Sequence, residues 1–219
     1  MSAPVNVPEP YRLADLALKF LNRKITLAFG RTKRALLLDG FDELAVMNSF
    51  SSMYETLLEQ SESTMKTLCI ERYTEMYRFL RHRPPDEDDV EALAILYLEE
   101  KMENPDERTH YAFVSETMRK RDRAAEAVNA VQGQRDKDRQ FELAMRYWSQ
   151  QAGFYIDIVS DDMALRAMRD CGVKFVKWHI QNDDRVCDDC HDLDGEVFKI
   201  DEVPTKHLRC RCWLEPVSG

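Results

Sequence analysis

The chain has 219 residues, of which 44% are hydrophobic and 32% charged, with 31 basic against 40 acidic side chains and a formal net charge of −9. That length suits one sizeable domain or two small ones. The composition excludes a disordered chain and a surface that grips nucleic acid over its whole area, though a local basic patch remains open.

Pro10 to Phe29 reads as an amphipathic helix. Before it, MSAPVNVPEPYR has no cationic start followed by an apolar run, so no secretory signal is expected. Between Phe41 and Arg83 there is neither glycine nor proline. Apolar residues recur there at Leu44, Met47, Phe50, Tyr54 and Leu57, then at Met65, Cys69, Tyr73, Met76 and Leu80. Steps of three and four are the period of a helix with one buried stripe. A kink is expected near Ser61 and Ser63, and Arg83-Pro84-Pro85 ends the run, because the residue before a proline is pushed out of helical geometry. Asp86 to Glu103 reads as a second helix, with acids in its first turn and Val90, Leu93, Ala94, Tyr97 and Leu98 on one face. Pro105 precedes a third helical stretch to Val131, and Gln132-Gly133-Gln134 is a short connection. Phe141, Met145 and Trp148 lie on the next helix. Ser160 and Asp161 read as caps of a last one, which stops at Cys171-Gly172.

The pattern changes after Gly172. Val173 to Trp178 is a short β-prone run, Leu193 to Phe198 a turn entering a strand, and Leu208 to Val217 a further strand. The fold class expected is therefore mainly α: an elongated helical body over 1–172 and a small β-rich module over 173–219. No stretch approaches the roughly 18 apolar residues that span a bilayer, so no membrane contact is expected.

Charge comes in blocks. Tyr11 to Leu38 holds seven bases (Arg12, Lys19, Arg23, Lys24, Arg31, Lys33, Arg34) against one acid, Asp15, and Asp39 to Glu62 holds six acids and no base. The plain reading is solvated faces of neighbouring helices. The sharper one is a basic segment, 12–34, that contacts DNA phosphates or an acidic partner.

Four of the six cysteines fall between Cys187 and Cys212. In a chain made in a reducing cytosol, such clusters bind metal or do chemistry more often than they form disulfides. Cys187-x-x-Cys190 can present two thiolates from one tight turn, and His207-x-x-Cys210-x-Cys212 supplies a second half. Tetrahedral zinc takes four N or S ligands, and so short a module gains from a metal staple. The expected ligands of one structural Zn2+ are Cys187, Cys190 and Cys210, with His207 and Cys212 competing for the fourth place. His191 reads as a surface residue, and Cys69 and Cys171 as buried small hydrophobes.

These residues also form an ordered series: Gly172 to Trp178, then Asp184 and Arg185 before Cys187 and Cys190, then Leu193 to Phe198 with Gly195, then Pro204, His207 and Cys210-Arg211-Cys212. The series resembles the C-terminal signature of the phage head morphogenesis proteins, the Mu F-like minor head proteins. That family has an apolar strand with Trp, D-x-R-x-C-x-x-C, G-x-x-F and P-x-x-H-x-x-C-R-C. One departure is Leu208, where the family has proline, which touches loop stiffness rather than a ligand. The resemblance implies a minor capsid protein of a tailed phage or prophage, associated with the portal protein at the portal vertex during head assembly and DNA packaging or delivery. It implies residence in the virion head interior and, during assembly, in the host bacterial cytoplasm. Scaffold and major capsid proteins are further partners it suggests. Some relatives carry a toxin domain after the signature; the seven residues beyond Cys212 leave no room for one.

Two other readings compete. One is a metal-supported nuclease of the HNH type using His207 and Asp201, which would need a second catalytic His or Asn on a following helix. The other is a zinc-ribbon adaptor for nucleic acid, which the acids Asp183, Asp184, Asp188, Asp189, Asp192 and Asp194 disfavour. There is no phosphate loop, G-x-S-x-G elbow or H-E-x-x-H, so no catalytic residue and no enzyme activity is expected. Trp178 and Trp213 are expected to form an apolar patch for a partner.

Overall fold

The structure is a computed structural model that describes residues 9–181, 187–208 and 210–217. The N-terminal octapeptide, and Asp183, Asp184 and Arg185 of the signature, lie outside the described residues.

Five helices build the body: α1 (Arg12–Asp39), α2 (Glu43–Arg81), α3 (Glu87–Glu103), α4 (Phe113–Asn129) and α5 (Gln134–Asp170). The longest, α2 and α5, pack on each other. Both α1 and α4 pack on that pair, and α3 packs on α2 and α4. A line of aromatic rings runs through the bundle. Tyr54 meets Trp148 edge-on at 4.7 Å, Phe113 meets Tyr155 at 4.8 Å, and Phe50 meets Phe141 at 5.1 Å. Each such pair adds about 0.5–1.5 kcal/mol to the burial of its rings.

The periodic stripes emerge as expected, but their ends differ. Helix α2 runs unbroken for 39 residues, about 58 Å at 1.5 Å per residue. No break occurs near Ser61, where the hydroxyls bond back to carbonyls one turn earlier in the same helix. Ser61 donates to the Leu57 carbonyl at 2.7 Å, and Thr64 donates to that of Gln60 at 2.7 Å. Asp86 caps α3 by accepting from the backbone N–H of Asp88 and Asp89. The third stretch is helical only from Phe113; residues 104–112 form a loop organised around buried Asp106. That carboxylate accepts from Lys101 Nζ at 2.6 Å and from the Arg108 backbone at 2.8 Å. Burial opposes its ionisation, but the bonds from Arg108 and Lys101 outweigh that and hold its pKa below the usual carboxylate range.

Ser160 and Asp161 are not caps. Helix α5 passes through them, Ser160 is buried, and the stripe continues through Met163, Ala164, Ala167 and Met168. Asp161 and Asp162 serve tertiary partners instead. Asp161 accepts from Lys206 Nζ at 2.7 Å, and Asp162 accepts from Tyr97 Oη at 2.7 Å and from Arg108 at 2.9 Å.

The end of α5 is built as the sequence implies. Gly172 takes φ +80°, its N–H reaches the Arg169 carbonyl, and the Val173 N–H reaches that of Met168. This 5→2 and 6→1 pair is a Schellman motif, which satisfies the last helical carbonyls and turns the chain out. It launches β1 (Phe175–His179), followed by a short helix α6 (Asp188–Leu193), β2 (Val197–Lys199) and β3 (Trp213–Val217). The sheet is antiparallel with order β2-β1-β3 and pairs Val176 with Phe198 and Trp178 with Leu214. Alternation along β1 sends Val176 and Trp178 inward. They join a hydrophobic cluster that extends from the bundle through Cys190, Ile200, Cys210, Cys212 and Leu214.

Candidate metal centre

Two local structures carry the donors. Cys187 is the N-cap of α6 and Cys190 lies in its first turn, so the C-x-x-C spacing puts both sulfurs on one side of the turn. The loop before β3 brings His207, Cys210 and Cys212 opposite. His207 Nε2 is 3.2 Å from both Cys187 Sγ and Cys190 Sγ, and Cys190 Sγ is 3.6 Å from Cys210 Sγ. Cys190 thus belongs to two compact trios, one with Cys187 and His207 and one with Cys210 and Cys212. All five residues singled out in the sequence meet around it. The structure places His207 and Cys212 in different trios and leaves both within reach of the fourth position.

The donor set fits a tetrahedral ion. Bonds of about 2.3 Å to sulfur put tetrahedral sulfurs about 3.8 Å apart and a sulfur–nitrogen pair slightly closer, near the 3.6 and 3.2 Å found. His207 Nδ1 lies 2.9 Å from the Leu208 carbonyl, which makes Nδ1 the protonated nitrogen and leaves the Nε2 lone pair aimed at the sulfurs. Cys190, Cys210 and Cys212 are buried, Cys187 is half-buried and His207 exposed. Burial and the adjacent Cys187 push the Cys190 thiol up to about 12, and the Cys212 side chain together with burial pushes Cys210 up as well. Crowded sulfurs without a counter-charge stay protonated; a bound cation reverses that preference. The cluster is of Cys3His type and compatible with a metal ion.

Around the cluster the acids do not converge. Asp188 and Asp189 are exposed in the first turn of α6, and Asp194 accepts from the Ile180 N–H at 3.1 Å. His191 is exposed, Cys69 is buried in the bundle, and Cys171, expected buried, is only half-buried at the end of α5. Trp178 corrects the expectation of a partner patch: it is 1% exposed, packed edge-on to Phe198 inside the module. Trp213 is half-buried and stacked on His179 at 4.4 Å, whose Nε2 is 2.7 Å from Glu215.

Sequence reasoning missed how the module is held. Tyr11, just before α1, donates its hydroxyl to the Cys212 carbonyl at 2.5 Å, and the Arg211 guanidinium lies 5.2 Å from the Tyr11 ring centroid. Lys206, also buried, pairs with Asp161, and Arg169 pairs with Asp201 at 3.1 Å. No local pattern announces the Tyr11 contact, which joins positions 201 apart in sequence. Of the basic segment, Arg12 pairs with Glu75 and Lys33 with Asp138. Lys19, Arg23, Arg31 and Arg34 are exposed and make no ion pair among the described residues.

Fold and site together define a helical protein closed by a small Cys/His module. Residues 158–215 match the family model described as Phage Mu protein F like protein. The matched segment takes in the last turns of α5 with Asp161 and Asp162, and the module as far as Glu215 in β3. No curated protein and no solved structure matches the chain. Among the described residues, no helix is long and apolar enough to cross a membrane.

Proposed function

We propose that this chain is a minor head protein of a tailed phage or prophage, associating with the portal protein at the portal vertex of the head during assembly and DNA packaging or delivery. It works by assembly, without turnover of its own. The observation that carries this reading is the Mu F-like match over 158–215, which coincides with the module and the α5 turns that anchor it. The module holds one structural zinc through Cys187, Cys190, Cys210 and either His207 or Cys212. Four protein ligands leave no open coordination position, so the ion staples the fold instead of activating water. The engagement of both His207 nitrogens supports this over the nuclease, which would need that imidazole free as a base.

The test has two parts. Protein purified without added metal should carry one zinc per chain, lost with Cys190→Ser, and its chelation should open residues 173–217 to protease. Co-expression with the portal protein from the same genome should yield a complex. Metal-free protein with a protease-resistant module sinks the zinc assignment. Failure to bind the portal, together with DNA cleavage that requires His207, sinks the assembly reading.

A further inference from the structure

We propose that copies of this chain bind one another through two helix faces, the outer face of α1 in one copy seating antiparallel on the outer face of α3 in the next. The inference goes beyond the assembly reading and rests on surface chemistry alone.

Helix α1 is apolar on two sides. Leu21, Ile25, Phe29 and Leu36 are buried against the bundle, yet Leu16, Phe20, Leu27, Leu37 and Leu38 are between 47% and 81% exposed. Leu16, Phe20, Arg23, Leu27, Gly30, Arg34 and Leu37 follow one another in alternating steps of four and three, the spacing of a helix–helix seam. Bases stud this face, and the free ones, Lys19, Arg23, Arg31 and Arg34, meet no acid among the described residues.

Helix α3 offers the complement. Val90, Ala94, Leu98 and Met102 face the bundle, while Ile95 and Leu96 are exposed among Asp88, Asp89, Glu99, Glu100 and Glu103. Its one base, Lys101, is turned into Asp106 and Asp162. Set antiparallel with Leu27 opposite Ile95, the two helices bring their opposite charges into register. Lys19 then meets Glu103, Arg23 meets Glu99, Gly30 meets Ala92 and Arg34 meets Asp88. Arg23 to Arg34 and Asp88 to Glu99 both span about 16 Å, three helical turns.

Gly30 is the independent observation. It sits exposed in the middle of α1, with nothing within 4 Å of where a Cβ would be and with no positive φ to require glycine. A mid-helix glycine costs about 0.5–1 kcal/mol relative to alanine, and nothing within one copy explains it. Opposite Ala92, it lets two backbones approach closely.

Sedimentation velocity on the full chain reads the proposal directly. The wild type should self-associate with rising concentration, more strongly at low ionic strength. Gly30→Leu should be monomeric while its unfolding midpoint stays level or rises, since the side chain meets only solvent. Arg23→Glu with Arg34→Glu, and separately Asp88→Arg with Glu99→Arg, should each abolish association, and an equimolar mixture of the two variants should restore it. A wild type that stays monomeric overturns the proposal, as does association that survives Gly30→Leu. So does a mixture that fails to reassociate, or a monomer whose α1 face instead binds duplex DNA or anionic vesicles.

Discussion

Replacing Asp157 with asparagine is expected to stabilise the protein at neutral and alkaline pH and to leave it unchanged in acid. Asp157 lies on α5 under the module. Burial first, then repulsion from Asp161 and Asp15, push its carboxyl up to about 7 from 3.8, while Arg211 and Lys206 of the module pull it partly back. Between those two pH values the folded protein keeps a proton that the unfolded chain has released. The stability this group allows is therefore fully present below 3.8, falls as pH rises through about 7, and is level above. A shift of three units at about 1.4 kcal/mol each sets a ceiling of about 4 kcal/mol. Partial solvent contact and adjustment of Arg211 and Lys206 bring the expectation to about 2–3 kcal/mol. Asparagine has the same shape and no charge to desolvate. Urea unfolding of both proteins at several pH values measures the difference, and the thiols and imidazole of the cluster, common to both chains, cancel from it. Curves that run parallel across the range, or a variant less stable at pH 8, would refute the reasoning.

Trp178→Ala should cost about 3–5 kcal/mol by opening a cavity in the module, and any loss of metal or partner should follow from that unfolding. Trp213→Ala, which removes a half-buried ring stacked on His179, should cost only about 1 kcal/mol and leave the metal in place; equal effects of the two in thermal unfolding would count against the assignment. Tyr11→Phe should cost about 1–3 kcal/mol, because it strands the Cys212 carbonyl without its donor. Hydrogen exchange should then rise in the module and at the start of α1, and an unchanged pattern would mean that water replaces the hydroxyl.

The parts of this fold that were legible in the sequence are those set by local physics. The stripes of α2 and α3 follow from a 3.6-residue period, the start of α3 from the acids of its first turn, and the turn after α5 from Gly172. The parts that were not legible depend on residues far away in sequence. Ser160-Asp161-Asp162 carries the chemistry of a cap, yet Asp161 and Asp162 are taken up by Lys206 and Arg108, 45 and 54 positions away. Ser61 and its neighbours look like a break only until their hydroxyls bond back to the preceding turn. Trp178 reads as an interface anchor from its residue type, but alternation along β1 decides its side, and that side faces inward. The Cys/His cluster was legible as a set because its residue types and spacing stand out in the sequence. The choice between His207 and Cys212 was not, because both lie on one short loop within reach of Cys190.

Three of the contacts that dock the module come from the peptide that carries His207, Cys210 and Cys212. Cys212 gives its carbonyl to Tyr11, Arg211 lies over the Tyr11 ring, and Lys206 next to His207 reaches Asp161. A loop with so little regular structure of its own cannot hold three such contacts in register by backbone bonding alone. Its buried apolar residues among those described, Cys210 and Cys212, are themselves cysteines, so the thiols are part of the core whether or not an ion is bound. An ion bound there would fix the loop from inside, and the same loop fixes the first turn of α1 and the last turns of α5. Metal affinity, module folding and docking would then be one linked equilibrium, in which whatever stabilises one raises the others by mass action. The family match follows that physical unit, beginning within α5 and ending in β3 rather than at the Schellman turn that divides helix from sheet.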